Sequence, residues 1–125
     1  MLMHHIGIVV SDMEKSISIY EKMGYIKQCD VIDEYQMCRI VFLDLGAAPK
    51  IELIEALSEA SSVYNFTSGY HHICYEAEQE EDIVENFRKL RVGKIFTKPV
   101  SAVAIENREI VFACLGNGTL IGLIL

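Results

Sequence analysis

The 125-residue sequence predicts an α+β fold built from two β-α-β-β-β modules. Three observations predict it. The tripeptide His-His-Ile occurs at residues 4–6 and again at 71–73. Each copy leads into a short apolar run, Gly7 to Val10 and Cys74 to Ala77. Each run is followed by apolar residues at helical spacing, Ile17, Tyr20 and Met23 in the first copy and Ile83, Phe87 and Leu90 in the second. Lys22 and Lys89 stand in matching places. A strand–helix plan repeated with histidine at its start indicates duplication around a shared site, because two strands can aim one imidazole each at a common point.

Met3 to Val10 is apolar and β-branched and reads as a strand. Ser11-Asp12-Met13-Glu14 fits a capping box opening a helix that Gly24 ends. Residues 25–32 and 36–45 read as a hairpin around Asp33-Glu34. Gly46-Ala47-Ala48-Pro49 reads as a turn, and 51–57 as the closing strand. The small, polar stretch 58–68 reads as a linker between a module at 1–57 and a module at 69–125. The second module follows the same order with one further strand, having a strand at 70–77, a helix near 80–91 and strands near 94–98, 102–106, 109–115 and 119–125. Asn107-Arg108 and Gly116-Asn117-Gly118 supply tight turns. The latter has no helix after it, so it is a hairpin turn rather than a phosphate loop.

A hydrophobic fraction of 51% with 23% charged residues describes one globular domain. No apolar run reaches bilayer length, and His4 and His5 follow Met1 almost at once, so neither a membrane span nor a signal peptide is expected. The cysteines Cys29, Cys38, Cys74 and Cys114 form no Cys-x-x-Cys pair and read as reduced, mostly core thiols of a cytoplasmic protein. A net charge of −7 argues against nucleic acid as the main partner. Arg88, Lys89, Arg91, Lys94 and Lys98 nevertheless cluster, either as a solvated helix end or as a landing place for an anionic ligand tail. Tyr64, Phe66, Tyr70 and Tyr75 near the junction are either core or lining of a ligand site.

Side chains alternate across a strand, so His5, Gly7 and Val9 share one face, and His72, Cys74 and Glu76 share one in the second copy. In the strand Ile-Glu-Leu-Ile-Glu, Glu52 and Ile54 face opposite to Ile51, Leu53 and Glu55. A carboxylate inside a sheet strand is costly unless it is paired, hydrogen-bonded or metal-bound. Two histidines and a glutamate from three strands suit a borderline divalent ion and leave positions for water or substrate.

The runs from His4 to Ser16, from Phe42 to Ala56 and from Gly69 to Glu76 resemble the vicinal oxygen chelate superfamily, which includes glyoxalase I, methylmalonyl-CoA epimerase, extradiol dioxygenases and bleomycin-resistance proteins. The resemblance covers nearly the whole chain and is nearest to the epimerase branch, with Ala56 where that branch carries proline. It implies that the modules curl into a cup, helices outside, holding one divalent metal (cobalt, nickel, manganese, zinc or iron). Matched by position, the ligands are His5, Glu52 and His72, with His4, His71 and Glu55 on the opposite faces. The fourth ligand, usually a glutamate in the last strand, matches Gly122. The hairpin position of the epimerases' acid/base glutamate matches Tyr35, with Glu34 beside it.

Loss of the carboxylate at 122 leaves Tyr35, Glu34, Glu76 and a metal-bound water as candidate acid/base groups. The resemblance implies a metal-dependent isomerase or lyase of the glyoxalase or epimerase type, acting on a small carbonyl compound or thioester through an enediolate. Arg88, Arg91, Lys94 and Lys98 would contact an anionic part of such a substrate. The alternative is a ligand-sequestering protein on the same scaffold, inactive because of Gly122. A homodimer is expected, since small curled sheets gain by covering their open edges.

Overall fold

The structure is a computed structural model that describes residues 1–47 and 49–125; Ala48, in the turn predicted at 46–49, lies outside the described residues. The elements are β1 (Leu2–Val9), α1 (Met13–Lys22), β2 (Ile26–Asp33), β3 (Cys38–Asp44), β4 (Lys50–Ala56), β5 (Gly69–Glu76), α2 (Ile83–Leu90), β6 (Gly93–Ile95), β7 (Val100–Ala102), a 3-10 turn (Val103–Ile105), β8 (Arg108–Leu115) and β9 (Leu120–Ile124). They form one mixed sheet in the order β2-β3-β4-β1-β5-β9-β8-β6, with β7 also on β8. The predicted α+β cup with helices outside is what forms.

The two modules meet where β1 and β5 pair antiparallel, each lying parallel to the last strand of its own module. This puts both His-His-Ile copies side by side in the middle of the sheet. On the outer face, Met13 and Ile17 of α1 are buried against Val41, Leu43, Ile51 and Leu53. Ile83 and Phe87 of α2 pack likewise against Val111, Ala113, Ile121 and Leu123. Each fully buried side chain of this kind contributes roughly 1.5–3 kcal/mol, enough to fix which face of the sheet turns outward. Glu55 lies on this helix face, as alternation requires, and its Oε2 accepts the Met13 N–H at 2.9 Å. The cap of α1 is Asp12 rather than Ser11, since the Asp12 side chain accepts from the Lys15 N–H at 3.1 Å.

The strand predicted at 102–106 does not form. Residues 93–102 make two short strands on β8, and 103–105 turn away as a 3-10 segment ending in left-handed Glu106 and Asn107. Pro99 has no N–H to give a ladder. Thr97 replaces a ladder acceptor with its hydroxyl, which takes the Phe112 N–H at 2.8 Å. The displaced 3-10 segment packs Ile105 into the apolar cluster of Ile40, Phe42, Ile54, Val63 and Ile110, so the two ends of the curled sheet meet across the cup. The stretch 58–68 also contributes to the inside, burying Val63 and hydrogen-bonding Ser61 Oγ with Cys38 Sγ at 3.1 Å.

Candidate metal centre

Alternation places His5, Gly7 and Val9 of β1, Glu52 of β4 and His72 and Cys74 of β5 on the concave face. Register then brings three of them together. Gly7 lies opposite both Glu52 and His72, and His5 lies one step along, opposite Cys74. His5 Nε2 is 2.6 Å from Glu52 Oε2 and 3.2 Å from His72 Nε2, and His72 Nε2 is 3.9 Å from Glu52 Oε2. All three residues are buried, and among the described residues they are the one group of His, Cys, Asp or Glu ligand atoms so gathered. Atoms held about 2.0–2.2 Å from one ion are roughly 3–3.4 Å apart. The three separations bracket that range, and two imidazoles with one carboxylate are a donor set for a borderline divalent ion. The residues fit a metal.

Gly7 makes this arrangement possible. A Cβ there would fall on the His72 ring, so a strand residue with any side chain would expel the second histidine from the cup. Phe42 and Phe112 flank the site edge-on, with ring centroids 4.9 Å from His5 and 5.8 Å from His72. Burial opposes ionisation of Glu52, but His5, by attraction and hydrogen bonding, and His72 outweigh it and hold the carboxyl below its ordinary range. Burial pushes His72 down to about 4 against the opposing pull of Glu52, so it stays neutral and able to ligate at neutral pH.

His4 and His71 are not on the opposite face. The pairing of β1 with β5 slips by one residue between Met3 and His5 and again between Gly7 and Ile8. The extra residues are His4 on β1 and His71 on β5, so each is bulged out of the alternation. His4 Nδ1 lies 2.7 Å from His5 Nδ1, and His71 Nδ1 lies 2.9 Å from His72 Nδ1. All four histidines therefore belong to the cup.

Gly122 lies opposite Cys74 and Phe112 in the sheet, the place that mirrors Glu52 across the module axis. No ligand stands there; Cys74 Sγ and Ile110 Cδ1 fill the space. The candidate acid/base groups scatter. Tyr35 is 81% exposed at the hairpin tip, and Glu34 is exposed beside it. Glu76 is ion-paired with Arg108 at 3.0 Å.

A second carboxylate that reaches the cup beside Glu52 is Asp33, which the sequence reads only as a turn residue. It is 5% exposed and lines the same cavity, about 40 Å³, as His5, Glu52, His72 and His71. Its oxygens accept the Gln36 backbone N–H and side-chain Nε2–H, each at 3.1 Å. Its spacing two residues after Val31, on the same face if the strand runs on to 33, was the signal available for it.

Two outer clefts of about 480 Å³ each flank the site. One is lined by His4, Cys29, Phe42, Lys50 and Arg108, the other by His71, Tyr35, Phe96, Thr97, Lys98 and Leu120. The basic cluster divides. Lys98 lines the second cleft, and Arg88, Arg91 and Lys94 line a groove of about 550 Å³ that shares Thr97 with it. Of the junction aromatics, Phe66 stacks edge-on against His71 at 4.8 Å, Tyr75 packs on the α2 side, and Tyr64 and Tyr70 are half exposed. Cys38 and Cys74 are buried thiols, Cys29 is partly buried and Cys114 is exposed, all free.

A cup of paired βαβββ modules with histidine and carboxylate converging from its middle strands defines a protein of the vicinal oxygen chelate type. Residues 4–112 match the model of the Glyoxalase/Bleomycin resistance protein/Dioxygenase superfamily, and the chain belongs to that superfamily. It is 27% identical over 100 residues to the human mitochondrial methylmalonyl-CoA epimerase, a match of 74% of this chain and 56% of that protein. The chain thus spans little more than half the length of that relative. It superposes on the methylmalonyl-CoA epimerase of Mycobacterium tuberculosis with a TM-score of 0.84 at 22% identity, over 98% of this chain and 85% of that one. A Streptomyces coelicolor methylmalonyl-CoA epimerase in complex with 2-nitronate-propionyl-CoA gives 0.81 at 19% identity, over 98% and 92%. At these identities the likeness is one of fold. No helix among the described residues is long and apolar enough to cross a membrane.

Proposed function

We propose that this chain is a metal-dependent isomerase that moves a proton next to a carbonyl, on a small carbonyl compound or a coenzyme A thioester. The observation that carries it is the convergence of His5 Nε2, Glu52 Oε2 and His72 Nε2 on one buried point beside the carboxylate of Asp33. A divalent ion held there would supply the electrophile that stabilises an enediolate. His5, Glu52 and His72 would hold it, with Phe42 and Phe112 packed edge-on against the two imidazoles. Asp33, fixed by Gln36, takes the substrate proton and returns it. The cleft of Tyr35, Phe96 and Lys98 receives the acyl part, and an anionic tail runs past Thr97 toward Arg88, Arg91 and Lys94. The cavity these residues line holds about 40 Å³, and Ile105 of the 3-10 segment forms part of its wall.

The epimerase relatives favour a thioester such as methylmalonyl-CoA. The test is incubation of cobalt-loaded protein with methylmalonyl-CoA, and with the adduct of glutathione and methylglyoxal, in deuterated water. Deuterium entering the carbon next to the carbonyl is expected. Tight binding of these compounds without exchange would instead favour the sequestering protein that Gly122 suggests. We further propose a cytoplasmic homodimer, since four free cysteines suit a reducing compartment and β2 and β6 leave open sheet edges; sedimentation at a mass of about one chain would contradict the dimer.

A further inference from the structure

The ligand imidazoles each have a second imidazole against their far nitrogen. His4 Nδ1 is 2.7 Å from His5 Nδ1, and His71 Nδ1 is 2.9 Å from His72 Nδ1, with the rings of each pair nearly perpendicular at 80° and 87°. Two bulges, one in each copy of His-His-Ile, produce the two pairs, so the arrangement is repeated across the module axis rather than accidental at one strand. The order across the cup is His4, His5, His72, His71.

A neutral imidazole has one N–H. When Nε2 gives its lone pair to a metal, the proton must sit on Nδ1, and in a buried ring that N–H needs an acceptor. The common acceptor is a carboxylate or a backbone carbonyl. Here the atom in place is the Nδ1 of another imidazole.

We propose that His4 and His71 are the positioning residues of the metal centre, each accepting at Nδ1 the N–H of the ligand histidine beside it. Each accepting ring then carries its own proton on Nε2. The tautomers of all four rings are therefore set by the metal, and the setting is passed outward to residues that line the two flanking clefts. A neutral acceptor orients the ligand ring without adding charge, so Glu52 remains the sole anion of the set. This inference rests on the metal reading above.

The test uses the intact protein with 15N-labelled histidine, metal-stripped and zinc-loaded, read by long-range proton–nitrogen correlation. With zinc, His5 and His72 are expected to be protonated at Nδ1, and His4 and His71 at Nε2 alone. In parallel, His4→Leu and His71→Leu should weaken zinc binding about 10–100-fold, and His4→Asn and His71→Asn, which keep an acceptor near Nδ1, should recover most of it. Zinc bound with His4 and His71 protonated at Nδ1, or leucine variants that bind zinc like the parent, would overturn the proposal and leave the metal reading standing. If no ring responds to zinc, the metal reading fails and the proposal with it. Should a leucine variant not fold, the spectrum of the unsubstituted protein decides.

Discussion

Cys74 and Gly122 lie directly opposite one another on β5 and β9, and a Cβ on Gly122 would stand 2.9 Å from Cys74 Sγ. The mirror-related pair in the first module is Gly7 and Glu52. In one module the glycine sits on the first strand and the carboxylate on the last; in the other a thiol sits on the first strand and the glycine on the last. Burial pushes the Cys74 thiol up, and its sulfur lies outside the gathered group of His5, Glu52 and His72 ligand atoms.

Gly122→Glu alone should therefore fail to restore a fourth ligand. Ile110 Cδ1, also 2.9 Å away, is the end of a flexible side chain and can turn aside, whereas Cys74 Sγ can leave only by its single torsion within a fully buried site. Overpacking of this kind costs about 1–3 kcal/mol, read as a lowered melting temperature. The paired substitution Cys74→Gly with Gly122→Glu should recover stability and tighten cobalt binding. Equal stability of the single and paired variants would contradict the account.

Gly7→Ala tests the other glycine. Its Cβ would fall on the His72 ring, so cobalt affinity should drop at least as far as in His72→Ala. A crystal structure of the variant with His72 unmoved would contradict this.

Asp33→Asn should separate chemistry from binding. The amide keeps an acceptor for the Gln36 backbone N–H but loses the one for its side-chain N–H, so stability should fall by about 1–3 kcal/mol with the fold retained. Loss of a general base typically costs 10²–10⁴-fold, so deuterium exchange into substrate should fall by roughly that factor while cobalt affinity holds. Exchange that persists at the parent rate would remove Asp33 from the mechanism.

The site was legible in the sequence where alternation alone decides it. His5, Glu52 and His72 face the cup because each sits an even number of residues from its strand's other cup-facing positions. His4 and His71 were misplaced for the complementary reason. A bulge belongs to the pairing of two strands, and neither strand's own pattern announces it. Asp33 was hidden because a strand's last residue and a turn's first residue look alike in sequence. The 3-10 segment at 103–105 escaped because Val103-Ala104-Ile105 has strand composition, and only its packing against β2 and β3 turns it inward. The matched repeats, by contrast, disclosed the paired βαβββ cup.

The metal-free protein should lose stability in acid over a defined window. Burial holds His72 at about 4 and His4, also pressed by His5, at about 4, from an ordinary 6.5. Below pH 6.5 the unfolded chain takes up protons that the folded one refuses. Stability from this source is therefore complete above pH 6.5, declines as the pH falls toward 4, and levels off below that. Melting temperatures of stripped protein across this range check it; a flat profile would contradict it.

The most direct measurement is a calorimetric titration of metal-stripped protein with cobalt, alongside His72→Ala and Glu52→Ala. One ion per chain is expected, bound tightly by the parent and lost in both variants, with the fold retained. Parent protein that binds no cobalt, or variants that bind it as the parent does, would contradict a metal centre at His5, Glu52 and His72.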